Sequence, residues 1–507
     1  MQYSNFQEGK NMTTSGSTQT YHDQCQQFFE KTAPQKARET KFVQRASPLD
    51  GQWFLLTLVV AALSQGVLDL PQLAVFANRL NPMIEVTGQA FKERYTPVAV
   101  EWLKALLVEA LQLSLPVGSP PLVPLLQSFS AVYLLDSSVV PLPDNLQEDF
   151  PGCGGVGAKS ALKLYLLLDW LTGNYETLHV ASGRKADQDM GTSFLTGTLR
   201  GALWLFDLGF FQCDLLAQIA RTGSYFLCRL QSQVGLTCRD AAGHSVPLDL
   251  DRLLRGAPRA LFECDVLVGP QQVPARLIAA PTPRANAGER RRRLRHNARK
   301  HGRTPTQKSL QRCDWTLLLT NAPAPQLPTS TAWEVYCVRW QVELAFKLYK
   351  SEWQLDQTKA TEKCRVQCEF YAKLIALLLF NQVTRVAEDL LQEKVSPTQL
   401  FRRLRADADT WLQALGQGSA AALQEGLLFL AGLSRSAWQK RQPSTKQRLQ
   451  AAAETAQQVK LTDPLGYLRD KYQRAADRLA AFQQRLTVTR MHFNAKCYLF
   501  QRTLSTP

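Results

Sequence analysis

The segment YCVRWQVELAFKLYK, residues 336 to 350, carries Tyr336, Arg339, Glu343 and Lys350 at spacings that predict a helix. At about 100° of rotation per residue, these four side chains fall within roughly 60° of one another. One acid and two cations then share a face with a phenol. Such a face can be a solvated ladder of ion pairs. It can equally hold a carboxylate that binds a metal ion, flanked by cations suited to phosphate. Trp340, Val342, Leu344 and Phe346 wrap the rest of the segment, and a helix apolar on several sides is expected to be buried. A carboxylate in that setting needs a cation, supplied by the flanking Arg and Lys or by a metal.

Two further acids follow apolar runs upstream. AVYLLD reads as a buried strand in which Val132 to Leu135 run into Asp136, and GALWLFD delivers Asp207 in the same way. Either aspartate alone could be a turn former or a helix cap. Between them, KLYLLLDW and ETLHVAS read as a hairpin around Thr172, Gly173 and Asn174. Asp187 to Thr198 reads as a helix, and YFLCRL after Asp207 as a further strand. Asp144, Asp169, Asp187, Asp189 and Asp214 are rival acids. Asp169 leads straight into the hairpin turn, which favours a structural role for it.

The order tyrosine, two residues, arginine, three residues, glutamate, six residues, lysine resembles the signature of DDE transposases of the insertion sequence four family, and all four positions match. The resemblance implies an α/β (α+β multidomain) fold. Its centre would be an RNase H-like mixed sheet with a β-rich insertion, flanked by helical N- and C-terminal domains and with the first and fourth strands side by side. It implies Asp136, Asp207 and Glu343 as catalytic, metal-binding acids, with Tyr336, Arg339 and Lys350 on the DNA backbone. Two Mg²⁺ ions are the expected cofactors and Mn²⁺ could substitute, since every donor is a hard oxygen. The implied activity is cleavage at transposon ends and strand transfer into target DNA, cut-and-paste by way of hairpin ends. Members often carry a glycine after the first aspartate and a basic residue after the second; this chain has Ser137 and Leu208. A nuclease or resolvase on the same fold, and a non-catalytic DNA-binding descendant of a transposase, are the alternatives.

At 507 residues, with 45% hydrophobic and 20% charged, the chain can bury large cores. Its expected segments are a helical DNA-binding domain (1–127), the first part of the catalytic domain (128–230), the insertion (231–314), the second part (315–385) and a helical C-terminal domain (386–507). A net charge of +16 and a pI near 9.4 favour a polyanionic partner. Eleven scattered cysteines suggest neither a disulfide framework nor a zinc site. With no leader and no run long enough to span a bilayer, the expected home is a reducing cytoplasm, in association with the nucleoid of a prokaryotic host.

The N-terminal stretch FFEKTAPQKARETKFVQRA carries several cations and is a candidate phosphate-binding arm. In the insertion, ALFECDVLV and VPARLIAA read as strands. ERRRRLRHNARKHGR, with Arg290, Arg291, Arg292, Arg293, Arg295, Arg299, Lys300 and Arg303, reads as a basic loop that is solvated until it meets DNA phosphate. By the same resemblance, Trp315 is the candidate to stack on a base flipped from the duplex. The implied partners are double-stranded terminal repeats and target DNA, with a homodimer in the synaptic complex.

Overall fold

The computed structural model describes residues 16–459 apart from 68, 114–123, 155–156, 240–243, 257–258, 394, 407–419 and 435–444. Ten strands form one sheet in the order β3-β2-β1-β4-β5-β10-β9-β8-β6-β7. They are β1 (Val132–Leu142), β2 (Ser160–Asp169), β3 (Tyr175–Ser182), β4 (Leu203–Phe206), β5 (Tyr225–Arg229), β6 (Leu236–Arg239), β7 (Ser245–Pro247), β8 (Phe262–Val268), β9 (Val273–Pro281) and β10 (Trp315–Thr320). The first five follow the order expected of the RNase H-like plan, with β1 beside β4. The chain divides into two compact units, and the division runs through β1 between Leu134 and Leu135.

The first unit comprises residues 1–121, 135–186 and 340–442. Its helices are α1 (Gly16–Gln26), α2 (Ala33–Glu39), α3 (Gly51–Gln65), α4 (Leu70–Leu80), α5 (Gly88–Arg94) and α6 (Pro97–Gln112), and α2 to α6 begin where the sequence supplies cap-type residues or prolines. Asp50 accepts from Trp53 N ahead of α3, and Thr96 from Ala99 N ahead of α6. The expected basic arm is instead packed: Phe28, Ala33 and Ala37 are buried, and the Trp102 indole donates to the Ala33 carbonyl. Its apolar positions recur at helical spacing, which the cations on the opposite side obscure in the sequence. The antiparallel hairpin of β2 and β3 also belongs here.

The second unit comprises residues 122–134, 187–339 and 443–507. β4 and β5 are parallel, a pairing that requires a crossover element. α7 (Cys213–Arg221) supplies it and buries Leu215, Leu216 and Ile219. The expected helix over Asp187 to Thr198 is a turn followed by a 3₁₀ segment, Gly191–Leu195; Gly191 and Gly197 interrupt the helical pattern there. The insertion adds α8 (Leu250–Gly256) and the strands β6 to β9. β10 then pairs antiparallel with both β9 and β5, so the insertion extends the sheet rather than standing apart from it.

The sequence stretch read as a basic loop is a 17-residue helix, α9 (Arg284–Lys300), followed by α10 (Gln307–Arg312). The signature segment is a broken helix: α11 (Ala332–Tyr336), a 3₁₀ turn over Cys337–Arg339, then α12 (Trp340–Ser351). α12 falls in the first unit together with α13 (Lys363–Leu391), α14 (Pro397–Ala406) and the helix Ala420–Gly432. α13 has 29 residues, buried on most sides and packed against α3 and α6. No single helix among the described residues is long and apolar enough to cross a membrane.

Candidate active site and nucleic-acid interface

In the first unit, Asp136 follows buried Leu135 and is itself half-buried, with Ser137 N donating to its Oδ1. The strand expected to stop here runs on to Leu142. Buried Val140 and Leu142 alternate with exposed Val139 and Pro141, and this period of two carries the strand past the acid. α12 buries Val342, Phe346 and Tyr349, at successive turns, in the core of the unit. Tyr349 donates its hydroxyl to that of Tyr175 on β3. Lys350 donates to the Val139 carbonyl at 2.7 Å, which fixes the end of α12 to the strand of Asp136. Burial pulls the Lys350 ammonium below its usual pKa, and Asp356 opposes that shift. Glu343 stands half-buried in the first turn of α12, where the helix dipole favours a carboxylate.

The helix is less enclosed than its composition implies. Trp340 and Leu344, one turn apart, are 36% and 44% exposed. Only one stripe of α12 meets the core, so its apolar residues are divided between packing and an open surface.

In the second unit, all four residues of β4 are fully buried, and Asp207 emerges directly after them. It caps the 3₁₀ turn Leu208–Phe210, accepting from Gly209 N. The turn Cys337–Arg339 packs against β4. This brings Tyr336 and Arg339 to the same region, with the guanidinium 5.9 Å from the centre of the phenol ring. Burial pushes the Tyr336 hydroxyl up to about 12; Arg339 and Arg229 act against that shift, while Cys228 and Asp207 add to it. Tyr336 is therefore a neutral hydroxyl, a donor rather than a base.

Arg229 was not singled out from the sequence. The parallel register Leu205↔Leu227, carried two residues on, sets it level with Asp207, and its side chain is exposed. A cation closing the strand next to the acid was the signal. The uniform 100° rotation assumed across residues 336 to 350 does not survive the 3₁₀ turn. Tyr336 and Arg339 belong to the second unit, Glu343 and Lys350 to the first.

The basic block is divided by helical geometry. Arg290 turns inward, donating to Thr282 Oγ1, the Trp315 carbonyl and Thr316 Oγ1, and burial lowers its pKa to about 10. Arg291 pairs with Asp314, and Arg293 with Glu289. Arg292, Arg295 and Arg299 are exposed on the side opposite Arg290, with Lys300 and Arg303 exposed beyond them. The intramolecular partners of Arg290 explain why a run of like charges forms a helix: one of its members is a staple to β10.

Trp315 takes a core position, the ordinary place for a tryptophan that opens an apolar strand. It is 8% exposed on β10, edge-to-face with Phe262 at 5.6 Å between ring centres. Among the rival acids, Asp169 is buried and closes the β2–β3 turn, accepting from Leu171 N at 3.1 Å and Thr172 Oγ1 at 2.8 Å. Asp144 pairs with Lys159, and Asp214 accepts from Gln271.

Asp136 and Glu343 in the first unit, and Asp207 in the second, are half-buried carboxylates, and carboxylate oxygens suit Mg²⁺ or Mn²⁺ rather than a soft metal. Among the described residues, no group of three or more His, Cys, Asp or Glu side chains stands together as a metal cluster.

Residues 127–379, which span β1 to α13, match the family described as transposase DDE domain. The chain is 25% identical over 378 residues to the transposase for insertion sequence element IS231F of Bacillus thuringiensis subsp. israelensis, covering 71% of this chain and 78% of that protein. It is 25% identical over 372 residues to the transposase for insertion sequence element IS1151 of Clostridium perfringens, covering 70% and 78%. Over 116 residues it is 34% identical to the putative transposase InsL for insertion sequence element IS186A of Escherichia coli (strain K12), covering 23% and 31%. The cryo-EM structure of a piggyBac transposase synaptic complex with hairpin DNA aligns with a TM-score of 0.43 and 9% identity, covering 84% of this chain and 86% of that one.

Replacing Trp315 by Ala is expected to cost about 3 to 5 kcal/mol of stability and to slow every DNA step alike. Thermal melting of the full chain, with parallel timing of nicking and hairpin formation, checks this; a stable variant defective only in hairpin formation would restore the base-stacking role.

Proposed function

Because the chain is a DDE transposase of the insertion-sequence class, we propose that Asp136, Asp207 and Glu343 are its three catalytic acids, acting on terminal-repeat and target DNA. The observation that carries this reading is the matched DDE domain over 127–379, within which Asp207 follows the fully buried β4 and Glu343 opens α12. The three carboxylates would hold two Mg²⁺ ions, which when bound supply Lewis-acid stabilisation of the oxygens entering and leaving phosphorus.

The remaining roles belong to the chain itself. Arg339 and Arg229 present guanidinium groups beside Asp207, suited to two-point contact with a phosphate. Tyr336, protonated at any physiological pH, donates a hydrogen bond to the same backbone. Lys350, fixed to the Val139 carbonyl, adds a point charge near Asp136. Water attacks first and frees a 3′-hydroxyl at the transposon end. That hydroxyl then attacks a phosphodiester of the opposite strand, expelling the flanking DNA with a 3′-hydroxyl and closing a hairpin; water reopens the hairpin, and the regenerated 3′-hydroxyl attacks a target phosphodiester, expelling a target 3′-hydroxyl. The half-open α12 offers Trp340 and Leu344 as apolar surface for a displaced base, a role that buried Trp315 does not suit.

Affinity for DNA is assigned mainly to α9. Arg292, Arg295 and Arg299 span seven residues of helix, about 10 Å, which matches the rise of about three phosphates along one strand. Lys300 and Arg303 continue the stripe, while Arg290, Arg291 and Arg293 hold the helix in place. The helical N-terminal segment, 1–127, is assigned to terminal-repeat recognition. Two such chains synapse the two ends, in the cytoplasm beside the nucleoid.

Asp207→Asn is expected to reduce Mg²⁺-dependent nicking of end-containing DNA to background while leaving gel-shift affinity intact; undiminished cleavage would remove the assignment. Replacing Arg292, Arg295 and Arg299 together with Gln should lower the slope of log K against log salt by about 3. The same slope as the parent chain would identify the face as merely solvated.

A further inference from the structure

The helix that carries Glu343 and Lys350 ends in a turn that none of the roles above uses. Leu355 N donates to the Tyr349 carbonyl at 3.0 Å, and Gln357 N to the Gln354 carbonyl at 3.0 Å, so residues 354–357 fold back as a tight turn against the end of α12. Gln354 opens it at φ +50°, a left-handed conformation that a residue other than glycine keeps only where its surroundings hold it. Trp353, just before it, is anchored on Phe401 of α14, with 4.4 Å between the stacked rings.

The turn itself is held by a buried cation. Lys373 of α13 is 2% exposed, and its ammonium donates to the carbonyls of Gln354 at 2.9 Å and Gln357 at 2.7 Å, the first and last residues of the turn. Burial draws its pKa down to about 8, and Glu369 and Asp356 act against that shift. Glu369, one helical turn earlier on α13, accepts from Arg365 Nε at 2.7 Å and Thr358 Oγ1 at 2.9 Å. Between the two clamped carbonyls stand buried Leu355 and half-buried Asp356.

Asp356 Oδ1 is buried and accepts no hydrogen bond among the described residues. A carboxylate oxygen in that setting needs a cation, and the cations on which Asp356 acts are the ammonium groups of Lys373 and Lys350. The hydrogen bond from Lys350 to the Val139 carbonyl fixes where its ammonium stands, while Asp356 supplies the opposite charge that offsets its burial. We propose that Asp356 is the positioning residue for Lys350, presented to it by a turn that Lys373 clamps at both ends. This rests on the reading of Lys350 as a cation for the DNA backbone, and deepens it: the charge of Lys350 is maintained by the protein before any phosphate arrives.

The first step of the test needs neither metal nor DNA. The full chain is acetylated at fixed pH with a limiting dose of acetic anhydride, which reacts with the unprotonated amine, and the extent at Lys350 is read by peptide mass spectrometry. Asp356→Asn keeps shape and turn-forming ability while removing the charge. It is expected to label Lys350 several-fold faster at an unchanged melting temperature, and Asp356→Glu to return the labelling toward that of the parent. At saturating DNA, nicking by Asp356→Asn should slow about tenfold or more, with gel-shift affinity intact. If Lys350 labels no faster in Asp356→Asn than in the parent, Asp356 is only a turn residue and this inference falls alone. Faster labelling with nicking at the parent rate also overturns it; if Lys350→Met then nicks at the parent rate as well, the phosphate role of Lys350 falls with it.

Discussion

The constraint on which this molecule depends is that a carboxylate must be held rigidly without being dried out. Val132 to Leu135 lead into Asp136, and Leu203 to Phe206 into Asp207, through residues that are almost fully buried. A rigid apolar strand fixes where the next side chain stands. A charged group taken wholly out of water would cost far more than the fold could recover, so the acid comes where the burial stops. Glu343 meets the same requirement on a helix, beside buried Val342 and in the first turn, where the dipole favours its charge.

Around these acids the protein spends its own polar groups on position. Lys350 is committed to a strand carbonyl, Arg290 to three acceptors on and beside β10, and Asp169 to a hairpin turn. The cations exposed away from such anchors are Arg292, Arg295 and Arg299 on the outer face of α9 and Arg229 at the end of β5, and these are the ones proposed to meet DNA. The rotation of a helix thus divides a dense run of arginines into a scaffold and an exposed stripe.

Strand identities were legible where a strand contains a short apolar run, as in β1, β2, β4, β5 and β10, and where apolar and polar residues mix at strand spacing between turn signals, as in β3, β8 and β9. The side-by-side placement of β1 and β4 was what the family resemblance implied, and the sheet has it. Less was legible wherever the outcome turned on a tertiary partner. The break at Cys337–Arg339 has no proline or glycine to mark it, so a uniform helical rotation seemed to put Tyr336 and Glu343 on one face. α9 looked like a solvated loop because two of the three acceptors of Arg290, on Trp315 and Thr316, lie about 25 residues further along the chain. Trp315 takes the core place usual for a tryptophan opening an apolar strand, with Phe262 of β8 against it.

The central claim, that oxygen donors at these positions bind the ions used in cleavage, is tested most directly by changing the chemistry of one donor without removing it. Asp136→Cys substitutes a soft sulfur for a hard oxygen, and sulfur disfavours Mg²⁺ far more than Mn²⁺. The account predicts that end-containing DNA is not nicked by this variant in Mg²⁺ and is nicked again in Mn²⁺, while the parent chain works in both. Equal nicking by the variant in the two metals, or none in either with DNA binding and folding intact, would contradict it.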